Sequence, residues 1–138
     1  SNGLSESEQQ ILVEAAEHAR QAFVDAMDDD FNTSSAMAAI YDLVKVINQS
    51  RADGANDTQL KQAQSVFNEL TGTLGLVLIE DSSQGTSADA FIDLMVALRR
   101  DLRAEKNWKM SDKIRDELKA LGVILEDSKD GTTWSWEN

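Results

Sequence analysis

The chain contains no proline in its 138 residues. Proline is the residue that most strongly interrupts a helix, so its absence leaves helices unbroken wherever apolar side chains recur every three to four residues. The long segments are also rich in Ala, Leu, Glu, Asp and Gln, a composition that favours helices. The sequence therefore predicts a mainly α protein.

Three amphipathic helices are predicted in the first eighty residues. A capping box, in which Glu8 follows Ser5 by three positions, marks the start of the first helix. Each helix carries one apolar stripe, and we expect the three to pack as an antiparallel bundle. They are predicted to run from Ser5 to about Met27, from Asn32 or Thr33 to about Gln49, and from Asp57 to about Leu74.

A linker and a second unit are predicted to follow. Residues 80–88 read EDSSQGTSA, which is a linker composition. We therefore predict a helical bundle over residues 1–80, a linker over 81–88, and a small α+β unit over 89–138. That unit is expected to hold a fourth helix capped by Ser87, a fifth helix from Asn107 to Gly122, and a β-hairpin with an Asp130-Gly131 turn signal.

The charge is unevenly spread along the chain. The net charge is −12, of which residues 1–90 contribute −11 (4 basic, 15 acidic) and residues 91–138 contribute −1 (9 basic, 10 acidic). Attraction to phosphates scales with positive charge, so only the last third is expected to approach RNA without strong repulsion. This part also holds all three tryptophans, and we place the function there.

Several classes of site are excluded or disfavoured. The absence of cysteine excludes disulfides and thiolate metal sites. No apolar run approaches the roughly 20 residues that span a bilayer, so no membrane association and a cytoplasmic location are expected. We interpret the acidic run 28–30 as a solvated turn and His18 as a helix-surface residue. No arrangement of residues suggests a catalytic or metal site, so the chain alone is predicted not to be an enzyme.

The fifth predicted helix carries a tryptophan outside its apolar stripe. At about 100° per residue, Trp108 lies roughly 125° from the centre of the stripe formed between Met110 and Leu121. Asp112 lies nearly opposite the stripe, and Arg115 is also off it. An unpaired RNA base is one partner that stacks on an exposed aromatic ring, and a nearby carboxylate can accept a hydrogen bond from the base. This face is therefore a candidate site for RNA.

Basic residues precede this helix. Arg99, Arg103 and Lys106 are candidates for phosphate or base contacts. Structural explanations remain open, because the tryptophan can pack against the preceding helix and the basic run can be a solvated face. Trp134 and Trp136 are two positions apart on a strand and so face the same side; we expect them to pack on the fifth helix.

Two blocks of the sequence resemble one protein family. Residues 23–48, FVDAMDDDFNTSSAMAAIYDLVKVIN, resemble the helical DALR segment of bacterial cysteinyl-tRNA synthetases. Residues 104–136 contain KNW, D-x-x-R-D-x-L, GVILED and GTTW, and resemble the C-terminal anticodon-binding region of the same family. The resemblance implies a region that binds cysteine tRNA, with the bundle along the inner corner of the tRNA and the terminal unit on its GCA anticodon.

The resemblance also implies roles for individual residues. Trp108 is similar to the residue that stacks on an anticodon base, and Arg103 is similar to a basic partner on the preceding helix. Asp112 and Asp127 are similar to carboxylates that hydrogen-bond base edges. Reasoning from the residues alone interprets Asp127 as a turn residue, so its role rests on the resemblance.

The family's catalytic machinery is not in this sequence. Its ATP and cysteine sites and its zinc ligands lie upstream of the matched blocks, so the chain is expected to bind no cofactor and to position tRNA for a catalytic domain of the same protein. An earlier helix of the family's bundle is also missing, which predicts an uncovered apolar stripe on the first two helices.

Two alternatives remain. One is an acidic helical module that docks a basic protein and has no role with RNA. The other is a paralogue that joins cysteine to a small amino sugar. Such relatives generally lack the terminal anticodon unit, so the intact block over residues 104–136 argues against this second alternative.

Overall fold

A computed structural model describes residues 3–29, 32–80 and 85–137. Within these residues the chain forms five α-helices followed by one antiparallel β-hairpin, which confirms the predicted mainly α fold with a small β element at its end. The elements are α1 (Glu6–Asp28), α2 (Thr33–Ala52), α3 (Asp57–Glu80), α4 (Gly85–Ala104), α5 (Trp108–Ala120), β1 (Val123–Ser128) and β2 (Gly131–Trp136).

The chain divides into two compact units between Leu74 and Gly75, inside α3. Unit 1 holds α1, α2 and most of α3, and unit 2 holds the end of α3, α4, α5 and the hairpin. Within the predicted linker, residues 81–84 lie outside the described part of the chain, whereas residues 85–88 belong to α4. The cap predicted at Ser87 is therefore wrong, because α4 already begins at Gly85.

Unit 1 is built from the predicted amphipathic stripes. The capping box is present: the Ser5 hydroxyl accepts from the Glu8 N–H at 3.2 Å, and the Glu8 carboxylate accepts from the Ser5 N–H at 3.0 Å. Apolar residues from all three helices form the core, since burying them removes the largest apolar area from water. The buried core residues include Leu12, Ala16, Ala19, Phe23, Ile40, Leu43, Val44, Ile47, Leu60, Val66, Phe67 and Leu70.

One apolar face of unit 1 is open. Ile11 of α1 is 65% exposed. It lies at a groove of about 650 Å³ that is formed by residues of α1 and α2. Small and apolar side chains dominate the lining, which includes Ala15, Ala19, Ala22, Ala38, Ala39, Leu43 and Val46. The uncovered stripe expected on the first two helices is therefore present.

A glycine of α3 is closely packed inside unit 2. The helix was predicted to end near Leu74, but it continues to Glu80. Gly75 is buried, and a Cβ at this position would lie 3.0 Å from Phe91 Cε2 and 2.9 Å from Leu121 Cδ1. The absence of a side chain thus permits close packing of the end of α3 against Phe91 and Leu121 within unit 2. The buried apolar residues of α4 and α5 are Ala88, Phe91, Ile92, Met95, Leu98, Leu102, Met110, Ile114 and Leu118.

Candidate nucleic-acid interface

A tight connection between α4 and α5 sets the position of Trp108. The Asn107 N–H donates to the Leu102 carbonyl at 2.8 Å, and Lys106 has a φ of 61°, in the left-handed region. The Asn107 side chain then caps α5 by accepting from the Met110 N–H at 3.3 Å, as predicted. Since α5 begins at the next residue, Trp108 emerges beside the last turn of α4.

Trp108 lies off the core, as its helical position predicted. The residue is 52% exposed. The guanidinium carbon of Arg103 lies 5.8 Å from the centre of the indole ring, which is within the range of a cation–π contact. The ring therefore contacts α4 through Arg103 and keeps about half of its surface open to solvent.

Asp112 and Arg115 share the exposed face of α5 with Trp108. Their side chains are 60% and 52% exposed, and the Asp112 Oδ1 atom lies 4.0 Å from Arg115 Nη2. An exposed pair at this distance contributes little stability. The Asp112 carboxylate is therefore still able to accept hydrogen bonds from a ligand.

The hairpin register brings a second carboxylate to the same region. Val123 is opposite Trp136, Leu125 is opposite Trp134, and Asp127 is opposite Thr132, so these six residues point to one face of the hairpin. Val123 is buried, which identifies this face as the one that packs on the helices.

Asp127 on this face is bound by two arginines of α4. Arg99 binds it in a bidentate manner, with both N···O distances 2.8 Å, and Arg103 Nη1 lies 3.3 Å from Oδ2. The Thr132 hydroxyl donates to Oδ1 at 2.7 Å. The hydrogen bonds from Arg99, followed by the one from Thr132, hold the pKa of Asp127 well below its usual range. The bond to Asp127 likewise raises the pKa of Arg99.

The structure brings together most of the residues predicted to form the site. Arg103 lies within reach of both Trp108 and Asp127, and Asp112 lies one turn along α5 from Trp108. Arg99, predicted as a supporting contact, differs from the others: its side chain is only 4% exposed, which argues against direct contact with RNA. Lys106 takes the left-handed position of the turn.

Sequence reasoning missed two side-chain hydrogen bonds of the hairpin, one within it and one to α4. Thr132 was not singled out, although its pairing opposite Asp127 follows once the hairpin register is known. Trp134 donates its indole N–H to Asp93 of α4 at 2.8 Å, a contact that the expected packing of the hairpin on α5 did not include. The expectation that Trp134 and Trp136 face the same side is confirmed, since their rings meet edge to face at 5.8 Å.

Residues 3–29, 32–80 and 85–137 hold neither a candidate metal site nor a candidate membrane-spanning helix. No group of three or more His, Cys, Asp or Glu side chains in these ranges is placed to hold a metal ion. Among the helices in the same part of the chain, none combines the length and apolar character that crossing a bilayer requires. The surface around Trp108 remains the strongest candidate site.

The two units match two domain families. Residues 22–78 match the DALR domain, and residues 92–134 match the cysteinyl-tRNA ligase anticodon binding domain. The chain belongs to the cysteine–tRNA ligase family. Arg103, Trp108, Asp112 and Asp127 all lie inside the second match.

Relatives named cysteine–tRNA ligase align along most of the chain. That of Dehalococcoides mccartyi strain 195 is 49% identical over 117 residues, which cover 83% of this chain and 25% of the relative. That of Symbiobacterium thermophilum is 39% identical over 131 residues, covering 95% of this chain and 27% of the relative. That of Bacillus velezensis is 37% identical over 135 residues, which cover 97% of this chain and 28% of the relative. The chain thus spans about a quarter of the length of these relatives.

Proposed function

We propose that this chain is the tRNA-binding, noncatalytic part of a cysteine–tRNA ligase, and that unit 2 binds the anticodon of cysteine tRNA. The observation that carries the proposal is the half-exposed ring of Trp108 with a guanidinium held next to it. Unpaired bases stack on such rings, and single-stranded loops are the usual targets of sequence-specific RNA recognition.

The neighbouring residues supply the other contacts that an anticodon needs. Asp112, exposed on the same face of α5, accepts a hydrogen bond from a base amino or imino group. Arg103, Lys106 and Arg115 bring positive charge for the phosphates and bases. The family resemblance gives Asp127 a base contact as well, and its side chain is 48% exposed.

The catalytic chemistry belongs to the rest of the ligase. We place ATP, cysteine and zinc in an upstream catalytic domain of the same cytoplasmic protein, with the DALR unit along the inner corner of the tRNA. The anticodon contacts then hold the acceptor end in the distant active site for aminoacylation. Wrong tRNAs lose these contacts, so binding energy at the anticodon contributes to the choice of tRNA.

The test compares two exposed tryptophans in the full-length ligase. Trp108→Ala is expected to lower kcat/KM for cysteine tRNA by roughly 10-fold to a few hundred-fold, on the basis of ~1–3 kcal/mol per stacked base. Cysteine-dependent ATP–pyrophosphate exchange should not change, because that step takes place without tRNA contacts. Trp136→Ala is the matched control, since this indole is 44% exposed, and it should retain wild-type tRNA kinetics. Unchanged tRNA kinetics in Trp108→Ala would refute the proposal.

A second candidate function is docking of another protein, which the open groove of unit 1 favours. Its apolar lining and the exposed Ile11 are features of interaction surfaces. Comparing cysteine tRNA with a tRNA whose anticodon is exchanged separates the two functions. Equal affinity for both RNAs would support the docking module, whereas a preference for the GCA anticodon supports anticodon binding.

A further inference from the structure

We infer that Arg99 and Thr132 are positioning residues for anticodon recognition: they anchor the Asp127 carboxylate so that its Oδ2 atom accepts a hydrogen bond from one anticodon base. The inference rests on the proposed function and deepens it. Asp127 keeps the base contact that the family resemblance implies, and two neighbours that need not touch RNA decide where that contact is made. The inference also accounts for an arginine that is too buried to contact RNA itself.

Arg99 supplies the anchor from α4. The residue is only 3% exposed, and its guanidinium binds both carboxylate oxygens of Asp127 at 2.8 Å. A bidentate pair of this kind fixes the plane of the carboxylate as well as its location. A lysine cannot reproduce this geometry, because its ammonium is a single point charge on a flexible stem. Arg99 therefore sets the direction in which Asp127 presents its oxygens.

Thr132 supplies the second anchor from β2. The residue lies directly opposite Asp127 in the hairpin, and its hydroxyl donates to Oδ1 at 2.7 Å. A carboxylate offers about four acceptor positions, two on each oxygen. Arg99 and Thr132 together fill both positions of Oδ1, whereas Oδ2 accepts from only one of the two anchors.

Arg103 occupies the remaining position of Oδ2. Its Nη1 atom lies 3.3 Å from Oδ2, which makes this the longest of the four hydrogen bonds to Asp127. The Arg103 side chain is 44% exposed and also contacts the Trp108 ring, so it can leave Oδ2 and still keep a partner. We therefore expect a base to take the place of Arg103 on this oxygen.

The ionised state of Asp127 determines which groups of a base this oxygen binds. Hydrogen bonds from Arg99, followed by the one from Thr132, hold the pKa of Asp127 well below its usual range. An ionised carboxylate only accepts hydrogen bonds, so its partner on the base is an amino or imino N–H group. The side chain is 48% exposed, which leaves it accessible to RNA. Asp127 is thus expected to favour a base that presents an N–H group over one that presents a carbonyl oxygen or a bare ring nitrogen.

The test measures the affinity of the full-length ligase for cysteine tRNA and for three tRNAs that each carry one transition in the anticodon. A transition exchanges donor and acceptor groups on the base edge. Asp127→Asn identifies the base that Asp127 contacts, because discrimination at that position should fall by roughly 10-fold, the lower end for a hydrogen bond to a charged group. Arg99→Lys should reduce discrimination at the same position by about 3-fold to 10-fold and leave the other two positions as in the wild type.

Arg100→Lys is the matched control for Arg99→Lys. The Arg100 side chain is 76% exposed, and the substitution keeps its charge, so this variant should discriminate as the wild type does at all three positions. An equal loss at all three positions in Arg99→Lys would overturn the inference, because a general loss of structure in unit 2 has no preference for one base. Wild-type discrimination by either Arg99→Lys or Asp127→Asn would overturn it as well.

A double-mutant cycle tests whether Arg99 acts through the carboxylate. If it does, Arg99→Lys causes little further loss of discrimination in a protein that already carries Asp127→Asn, so the two effects are not additive. Additive losses would show that Arg99 acts by another route and would overturn the inference.

Thr132→Val covers the case in which Arg99→Lys does not fold. This variant removes the hydroxyl and nearly keeps the shape of the side chain, and we expect it to lower discrimination at the same base by about 2-fold to 5-fold. Thr133→Val is the matched control, because Thr133 is opposite Glu126 and points to the other face of the hairpin. Equal discrimination by the two valine variants would overturn the inference.

The two proposals fail separately. Unchanged tRNA kinetics in Trp108→Ala would refute the anticodon function. Impaired kinetics in Trp108→Ala together with wild-type discrimination in Arg99→Lys would refute only the positioning role.

Discussion

Asp127 shows how one side chain acquires its properties from its partners. Arg99 and Thr132 lower its pKa well below the ordinary value of 3.8 by donating hydrogen bonds to the ionised form. When folding lowers the pKa of a carboxylate, the ionised form of that group stabilises the folded state. This stabilisation is complete at pH values above the pKa that the group has in the unfolded chain. This stabilisation is lost as the pH falls below the unfolded pKa and through the folded one.

This linkage predicts a pH-dependent effect of Asp127→Asn on stability. At pH 7 the variant is expected to melt at a lower temperature than the wild type, and the difference should narrow as the pH is lowered from about 4 to about 2. Tryptophan fluorescence during thermal unfolding reports the change, since all three tryptophans lie in unit 2. Asp130→Asn, in the exposed hairpin turn, is the control and should show little difference at either pH. If the difference in melting temperature between Asp127→Asn and the wild type did not change with pH, this prediction would be contradicted.

At the scale of elements, α3 shows how packing decides where a helix ends. Two glycines, at positions 72 and 75, weaken the local preference for helix, and this is why the sequence predicted an end near Leu74. The helix nevertheless continues to Glu80, and Gly75 lies against Phe91 and Leu121. The close approach to these two side chains offsets the low helix propensity of glycine.

Alanine substitutions at the two glycines should therefore have opposite effects. Gly72→Ala, at a half-buried position, is expected to raise stability by about 0.5–1 kcal/mol, the usual gain for replacing a helical glycine. Gly75→Ala is expected to lower stability, because its Cβ lies within 3.0 Å of Phe91 and Leu121 atoms and the neighbours must move. Chemical denaturation of both variants measures the difference. A stabilised Gly75→Ala variant would show that the contacts relax without cost.

At the scale of the whole molecule, the charge is unevenly distributed along the chain. The net charge of −12 falls almost entirely on residues 1–90, whereas residues 99–109 carry a local charge of +3 (5 basic, 2 acidic). A chain with this distribution gains little from general attraction to phosphates, and it depends on stacking and base contacts in one small region.

The charge distribution predicts weak and only mildly salt-dependent RNA binding by the isolated chain. With about three phosphate contacts, log K against log salt concentration should have a slope of about −2 or shallower. Titration of an anticodon stem-loop at several salt concentrations measures it, with a scrambled loop as the control. Tight binding that does not respond to salt would contradict this division between stacking and phosphate contacts.

The sequence alone was sufficient for features that depend on near neighbours along the chain. Helical periodicity identified the elements, and local capping chemistry identified the starts of α1 and α5 at Ser5 and Asn107. The same periodicity placed Trp108 outside the core, because its angle on the helix depends only on residue spacing. The resemblance to the ligase family was also visible in the motifs of residues 104–136.

The tertiary structure decided which distant side chains meet. Arg99 and Asp127 are 28 residues apart, and nothing in the spacing between them indicates that one is buried and the other bound by four hydrogen bonds. Likewise, the exposure of Ile11 and the continuation of α3 past Gly75 depend on which surfaces are covered by other elements. Sequence patterns determine the local elements and their apolar faces, whereas burial and ion pairing arise only when those elements pack together.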